Sequence, residues 1–241
     1  MSVTKEITIL ALTKMHGGVC TAGIDAGGEW VRPVRPHTTH KPEVEAVTDY
    51  CLLPLDFFHG GMSHLVNLGV TRFQFVSHAP QPPHTEDWTL DLARKPQLIR
   101  KLSAEEQELF LVEHAESGLP LLDDEGRRSL ALIKPDSFSF SFGMNRSGDD
   151  VSVRASFAVG DMQIGDVGCT DLRMRALGRK LLEQADGERR SLSDEDFQQR
   201  GKQTTYLSVG LSRAFQGKHW LILVGVHSVP ELAIEIDFAK L

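Results

Sequence analysis

The first forty residues gather the side chains best suited to hold an anion. Lys14, His16, Gly17 and Gly18 share one short stretch, and Trp30, Arg32 and Arg35 follow close behind. Arginine offers a phosphate a planar fork of donors and lysine a point charge. Adjacent glycines let backbone amides approach an anion, and an indole stacks a base at roughly 1–3 kcal/mol. The same residues also fit a plainer reading, a glycine turn with a core tryptophan and two solvated arginines. On the ligand reading, Trp30→Ala or Arg32→Ala weakens capture and leaves the fold intact.

Two further groups repeat the theme. In Thr170-Asp171-Leu172-Arg173-Met174-Arg175, strand alternation would put Asp171, Arg173 and Arg175 on one face and Leu172, Met174 and Ala176 on the other. Such a face can grip a phosphate or a base edge. It can equally be an ion-pair ladder, worth only about 0–1 kcal/mol when exposed. Near the end of the chain, Ser208, Gly210 and Ser212 lead into Arg213, Lys218, His219 and Trp220. Small residues, cations and an aromatic ring meet there once more.

Metal chemistry has thinner support. His37 and His40, then His59 and His64, could offer imidazoles, with Cys51 or Asp56 between them. Structural zinc sites usually announce themselves by tight Cys/His pairs, and His37-Thr-Thr-His40 in a proline-flanked loop without an obvious helix is non-specific. The phosphate-loop, dinucleotide-binding, zinc-protease and nucleophile-elbow motifs are all missing. Cys20 and Cys169 sit in apolar runs, where an inert thiol is the default. Neither a metal nor a cofactor is expected.

These residues need elements to carry them. Residues 6–12 read as a strand. Residues 18–26 and 29–34, joined by Gly27-Gly28, read as a hairpin whose glycines supply positive φ. Further strands are expected at 50–55, 64–77, 137–142, 151–159, 203–213 and 218–227, the last two forming a hairpin around Gln216-Gly217. Helices are few. Ser103 and Glu106 form a capping box ahead of 103–115, and Ser193 and Asp196 form another. Residues 171–185 read as a strand running into a helix. The fold class is mainly β with a few helices, a barrel or sandwich in preference to βαβ units.

Composition narrows the function classes. The 241 residues carry 26 basic and 33 acidic side chains, net −7, which argues against a general polyphosphate binder. The excess is local. Residues 1–80 hold 6 basic against 7 acidic, 81–130 hold 6 against 11, and 131–241 hold 14 against 15. The flanking segments can therefore host an anion better than the total suggests. Three scattered cysteines point to a reducing, cytoplasmic setting. The start, MSVTKEITILALTKMHGG, does not read as a signal peptide, and no apolar run is long enough to span a membrane.

Three stretches together resemble a known family: ITILALTKMHGGVCTAGIDAGGEWVRPVRP, VGCTDLRMRALG and TYLSVGLSRAFQGKHWLILVGVHSVPE. They are similar to the prokaryotic family of dual OB-fold domains. The resemblance implies two OB-like barrels packed together, with a first barrel over 1–84, a mixed helical and acidic connecting segment over 85–128, and a second barrel over 129–241. OB folds commonly bind oligonucleotides, though the fold serves other ends too. The leading expectation is a cytoplasmic binding module for single-stranded nucleic acid or a nucleotide-like anion. One alternative is an enzyme acting on such a ligand, with Lys14, His16, Asp171 and Arg173 in a cleft between the barrels. Another is a non-catalytic subunit that docks a protein partner, with the acidic 103–125 segment as one candidate surface. No membrane partner is expected.

Overall fold

The computed structural model describes residues 2–15, 18–36, 51–123, 127–201, 204–214, 216–236 and 238. Two compact units emerge. The first comprises Met1–Ser103, Gly126–Ser129 and Phe238–Leu241, and the second Ala104–Glu125 and Leu130–Asp237.

In the first unit the chain runs β1 (Val3–Met15), β2 (Gly18–Asp25), β3 (Trp30–Val34), α1 (Pro54–Phe57), β4 (Phe58–His59), β5 (Met62–Ser63), β6 (Gly69–His78), β7 (Asp87–Leu90) and β8 (Gln97–Lys101). Strand β1 is long enough to serve two partners. Its first half pairs antiparallel with β6 and its second half with β2, with a bulge between Ile9 and Ala11 that bends it from one to the other. Strand β3 pairs parallel with β7, and β7 antiparallel with β6. The ring β1-β2-β3-β7-β6 thereby closes on itself, removing every free edge among its members. Ile7, Ile9, Val31, Phe73 and Phe75 are buried in its core.

The second unit runs α2 (Ala104–His114), α3 (Pro120–Asp123), β9 (Leu130–Ile133), β10 (Ser137–Met144), β11 (Val151–Val159), β12 (Met162–Cys169), α4 (Leu172–Glu183), β13 (Arg190–Ser193), α5 (Asp194–Gln199), β14 (Thr204–Leu211) and β15 (Leu221–Val229). The same order recurs with one change. Strands β10, β11 and β12 form a meander, β12 pairs parallel with β15, and β15 antiparallel with β14. Strand β14 then pairs with β9, which is only Lys134-Pro135-Asp136 away from β10. Here β9 and β10 share the work that β1 does alone, and the break falls at a proline, which cannot donate to a ladder. In β10 the Phe140 and Phe142 side chains are buried and the serines between them face out.

Helix α4 follows the third strand of this barrel and packs on β10 and β11. Gly178 makes the approach possible, since a Cβ there would lie 2.8 Å from both Phe142 and Val151 side-chain atoms. The capping box at Ser193 and Asp196 is present and opens α5.

Several expectations change. Residues 171–175 are not a strand, because the helix begins at Leu172 with Asp171 as its N-cap. Of the strand expected at 50–55, the described residues 51–55 give only an isolated bridge from Leu52 to Val19 before α1 starts at Pro54. A proline fits the first helical position, where no N–H is needed. The proline-rich stretch before residue 84 is a loop inside the first barrel, which needs β7 beyond it. Strands β4, β5, β7, β8, β9, β12 and β13 are not among the expected ones: all but β12 are short, and β12 is interrupted by glycines.

Candidate nucleic-acid interface

The first barrel turns Arg32 inward. Arg32 is buried, with Nε donating to Asp87 Oδ1 at 2.6 Å and Nη2 lying 3.0 Å from Glu86 Oε1. The parallel register of β3 and β7 creates this contact by placing Arg32 opposite Asp87. Burial opposes the guanidinium charge, and the two carboxylates more than offset it, raising the pKa. Nη1 reaches the Ser129 hydroxyl at 3.3 Å, which donates in turn to Glu86. His84 Nδ1 lies 2.8 Å from the same hydroxyl. Arg35 is bonded to the buried Asp56, which also accepts from Leu53 N–H at 2.8 Å.

Gly18 is not an open cradle, since a Cβ there would meet Cys51 Sγ and the Leu52 carbonyl at 2.7 Å. Lys14 is half-buried opposite Val19, and Trp30 is half-buried opposite Ile24. His16, Gly17, His37 and His40 lie outside the described residues. His59 and His64 stack at 3.7 Å. His59 Nε2 donates to the Pro96 carbonyl at 2.9 Å, and His64 Nδ1 accepts from Leu98 N–H at 3.1 Å. Burial and the neighbouring His59 charge hold the His64 pKa below its ordinary value. Among the described residues, no three metal-ligating side chains converge.

Asp171 and Arg173 also have structural occupations. Asp171 Oδ1 accepts from the N–H groups of Arg173 at 2.7 Å and Met174 at 2.9 Å, and Oδ2 accepts from Val226 N–H at 3.1 Å. The carboxylate thus caps α4 and ties it to β15. Arg173 donates to the Val226 carbonyl and to Glu231 at 3.1 Å. Arg175 is paired with Asp150 at 2.5 Å. Asp171 and Arg173 therefore stay together as a buried ion pair at 3.8 Å, and the helix carries Arg175 away to Asp150, so the three do not share one strand face.

The second barrel has the open surface. Successive outward residues of β10 and β11 are paired, Ser139 with Ser156, Ser141 with Arg154 and Gly143 with Ser152. Arg154 continues the row to Gly168 on β12, which is itself paired with Ile222. A β-bulge opposite Ser156 sets Asp166 at φ 52°. From there Asp166 accepts from Arg154 Nε at 2.9 Å, and its N–H donates to Ser156 Oγ at 3.1 Å. Arg154 lies across Gly168, with Nη1 3.6 Å from where a Cβ would be. Its side chain stays 40% exposed, so the guanidinium is held in place yet reachable.

The loop from β14 to β15 borders this row. Ser212 and Trp220 are joined by two bonds, Ser212 N–H to the Trp220 carbonyl at 2.8 Å and Trp220 N–H to the Ser212 side-chain Oγ at 2.9 Å. His219 Nδ1 donates to the Ser212 carbonyl at 2.8 Å. These bonds fix the loop and leave the indole 54% exposed. Trp220 sits two residues before Ile222, the partner of Gly168. The tryptophan is therefore at the edge of the Arg154 row, with Arg213 and Lys218 on the same loop.

The model of the dual OB-containing domain matches residues 5–226. The chain belongs to the dual OB-containing domain family. No curated protein matches it. OB folds bind oligonucleotides on the face of strands two and three with the loops that join strands one to two and four to five. In the second barrel of this dual OB protein those parts are β11, β12, residues 145–150 and residues 212–220. Arg213, His219 and Trp220, chosen from sequence, fall on them. Arg154 and Arg146 also lie on these parts and are not among the candidates the sequence suggests. The alternation in SFSFSF and VSVRASF was the available signal, since period two with serine and arginine on one side marks an exposed strand face.

Proposed function

We propose that this dual OB protein is a binding module for single-stranded nucleic acid and that the ligand lies on the outer face of the second barrel. The observation that carries this reading is Trp220, an exposed indole on a cation-bearing loop beside the Arg154 row. A base stacks on the indole, and the adjoining phosphates meet Arg154, Arg213 and Lys218. Few cations and, among the described residues, one exposed ring on this face favour a short footprint, as does the net charge of −7. An enzymatic role for Asp171 and Arg173 is disfavoured because both Asp171 carboxylate oxygens accept backbone bonds.

The test is an anisotropy titration of labelled ten-residue DNA and RNA single strands at two salt concentrations, with Trp220→Ala and Arg154→Ala alongside the parent. Binding that weakens with salt at a slope of about −0.7 per phosphate engaged, and that each substitution reduces, supports the reading. Absence of strand binding overturns it. A thermal shift with mononucleotides in that case moves the ligand to a compact nucleotide-like anion.

A further inference from the structure

Helix α2 carries a feature that strand binding does not use. Two of the three most exposed large apolar side chains among the described residues are Leu109, at 64%, and Val112, at 59%. They are three residues apart on one helix, so they lie side by side on its surface. The opposite side of α2 buries Leu111, and the helix packs on β15. Apolar residues therefore line both sides of a helix that needs only one such side to dock. Isolated exposed leucines are common; here two large apolar side chains adjoin in solvent on one helix face, the kind of feature that marks interaction sites when it forms a contiguous patch.

Charge identifies what fits there. Glu105 and Glu108 precede the pair by four residues each, Glu105 before Leu109 and Glu108 before Val112, and Glu113 follows Leu109 by four. All three are exposed, so the apolar pair is flanked by carboxylates. An anionic membrane surface and a nucleic acid are both repelled by that flank. A second copy would set like charges against like in a chain already at −7. We infer that the outer face of α2 docks a cationic amphipathic helix of a partner protein, with leucine-type side chains on Leu109 and Val112 and lysine or arginine on the glutamates. This is a helix-on-helix version of groove recognition, in which apolar anchors hold and flanking charges select.

The probe is a labelled 15-residue synthetic helix with leucines on one face and lysines along its flanks. Two controls accompany it, a scrambled peptide of equal charge and a peptide with glutamate in place of lysine. The expected result is saturable binding of the first peptide alone. Leu109→Ser with Val112→Ser should weaken it at least tenfold while preserving every charge, and Glu105→Lys with Glu108→Lys should weaken it comparably. Far-UV circular dichroism and strand binding should be unchanged in both variants. Equal binding of the scrambled peptide, or retention of affinity in the serine variant, overturns the proposal by reducing it to non-specific charge attraction. Failure of the peptide to bind at millimolar concentration overturns it as well. Self-association of the parent that the serine variant abolishes overturns it in favour of a second copy.

Discussion

The two barrels share a strand order and use it oppositely. In the first, both faces of β2 and β3 are largely covered, and Arg32 lies buried between Asp87 and Glu86. In the second, the outward residues of β11 and β12 remain accessible, and Arg154 is steadied by Asp166 without being buried. The tryptophans differ in the same way. Trp88 on β7 contacts Phe75, stacks on His78 at 4.7 Å, and has the Lys5 ammonium 4.8 Å from its ring centre. The Trp220 ring has no aromatic or cationic neighbour among the described residues. The same chemical types build a closed scaffold in one barrel and an open surface in the other. Both arginines have a carboxylate partner, and what separates them is whether a second layer buries the pair.

Arg32→Ala should break the comparison most sharply. It leaves Glu86 and Asp87 buried without their cation, and breaking such a pair costs about 3–5 kcal/mol. Urea unfolding should show that loss, while the folded fraction still binds single strands. This replaces the expectation from sequence that Arg32→Ala spares the fold. Trp220→Ala should do the converse. Strand affinity should fall by about 1–3 kcal/mol, or roughly 5- to 150-fold, with the unfolding midpoint essentially unmoved. A large drop in stability would make Trp220 scaffold and return the two tryptophans to one class.

Asp171→Ala should cost about 0.5–2 kcal/mol for the lost N-cap, read by thermal unfolding, with strand affinity kept. Reduced affinity at full stability would restore Asp171 to the binding surface. The smallest expected effect is on pH. The folded His64 pKa lies below the ordinary 6.5 because of burial and then the His59 charge. The unfolded chain therefore takes up the proton first, so this contribution is intact above about pH 6.5 and is lost as the pH falls below it. His64→Asn retains an acceptor for Leu98 N–H and does not titrate. It should flatten the stability profile between about pH 7 and 5, without changing how strand binding responds to Trp220→Ala.

Much of this architecture could be read directly along the chain. The Gly27-Gly28 turn, the Ser193 capping box and the β14–β15 hairpin are local features, set by backbone preferences over a few residues. Arg213, His219 and Trp220 stand out as candidates because a polar hairpin loop leaves its side chains in solvent. Arg32 could not be read correctly, since nothing near residue 32 announces Asp87, 55 residues away. Only the parallel register of β3 and β7 makes them neighbours. Asp171 was misread for a related reason. Alternation and helical spacing overlap between Leu172 and Leu177, and the choice was settled by two helix N–H groups and the distant Val226 amide all reaching one carboxylate.

The sequence by itself determined that the chain is mainly β, which segments pair as hairpins, and which residue types are available to meet an anion. Those properties follow from φ/ψ preferences, alternation and side-chain chemistry, all of which act locally. Tertiary structure alone decided which cations are spent inside and which are left outside. A guanidinium gains or loses accessibility through partners brought together by strand order, and burial converts the same side chain from a ligand contact into part of the scaffold.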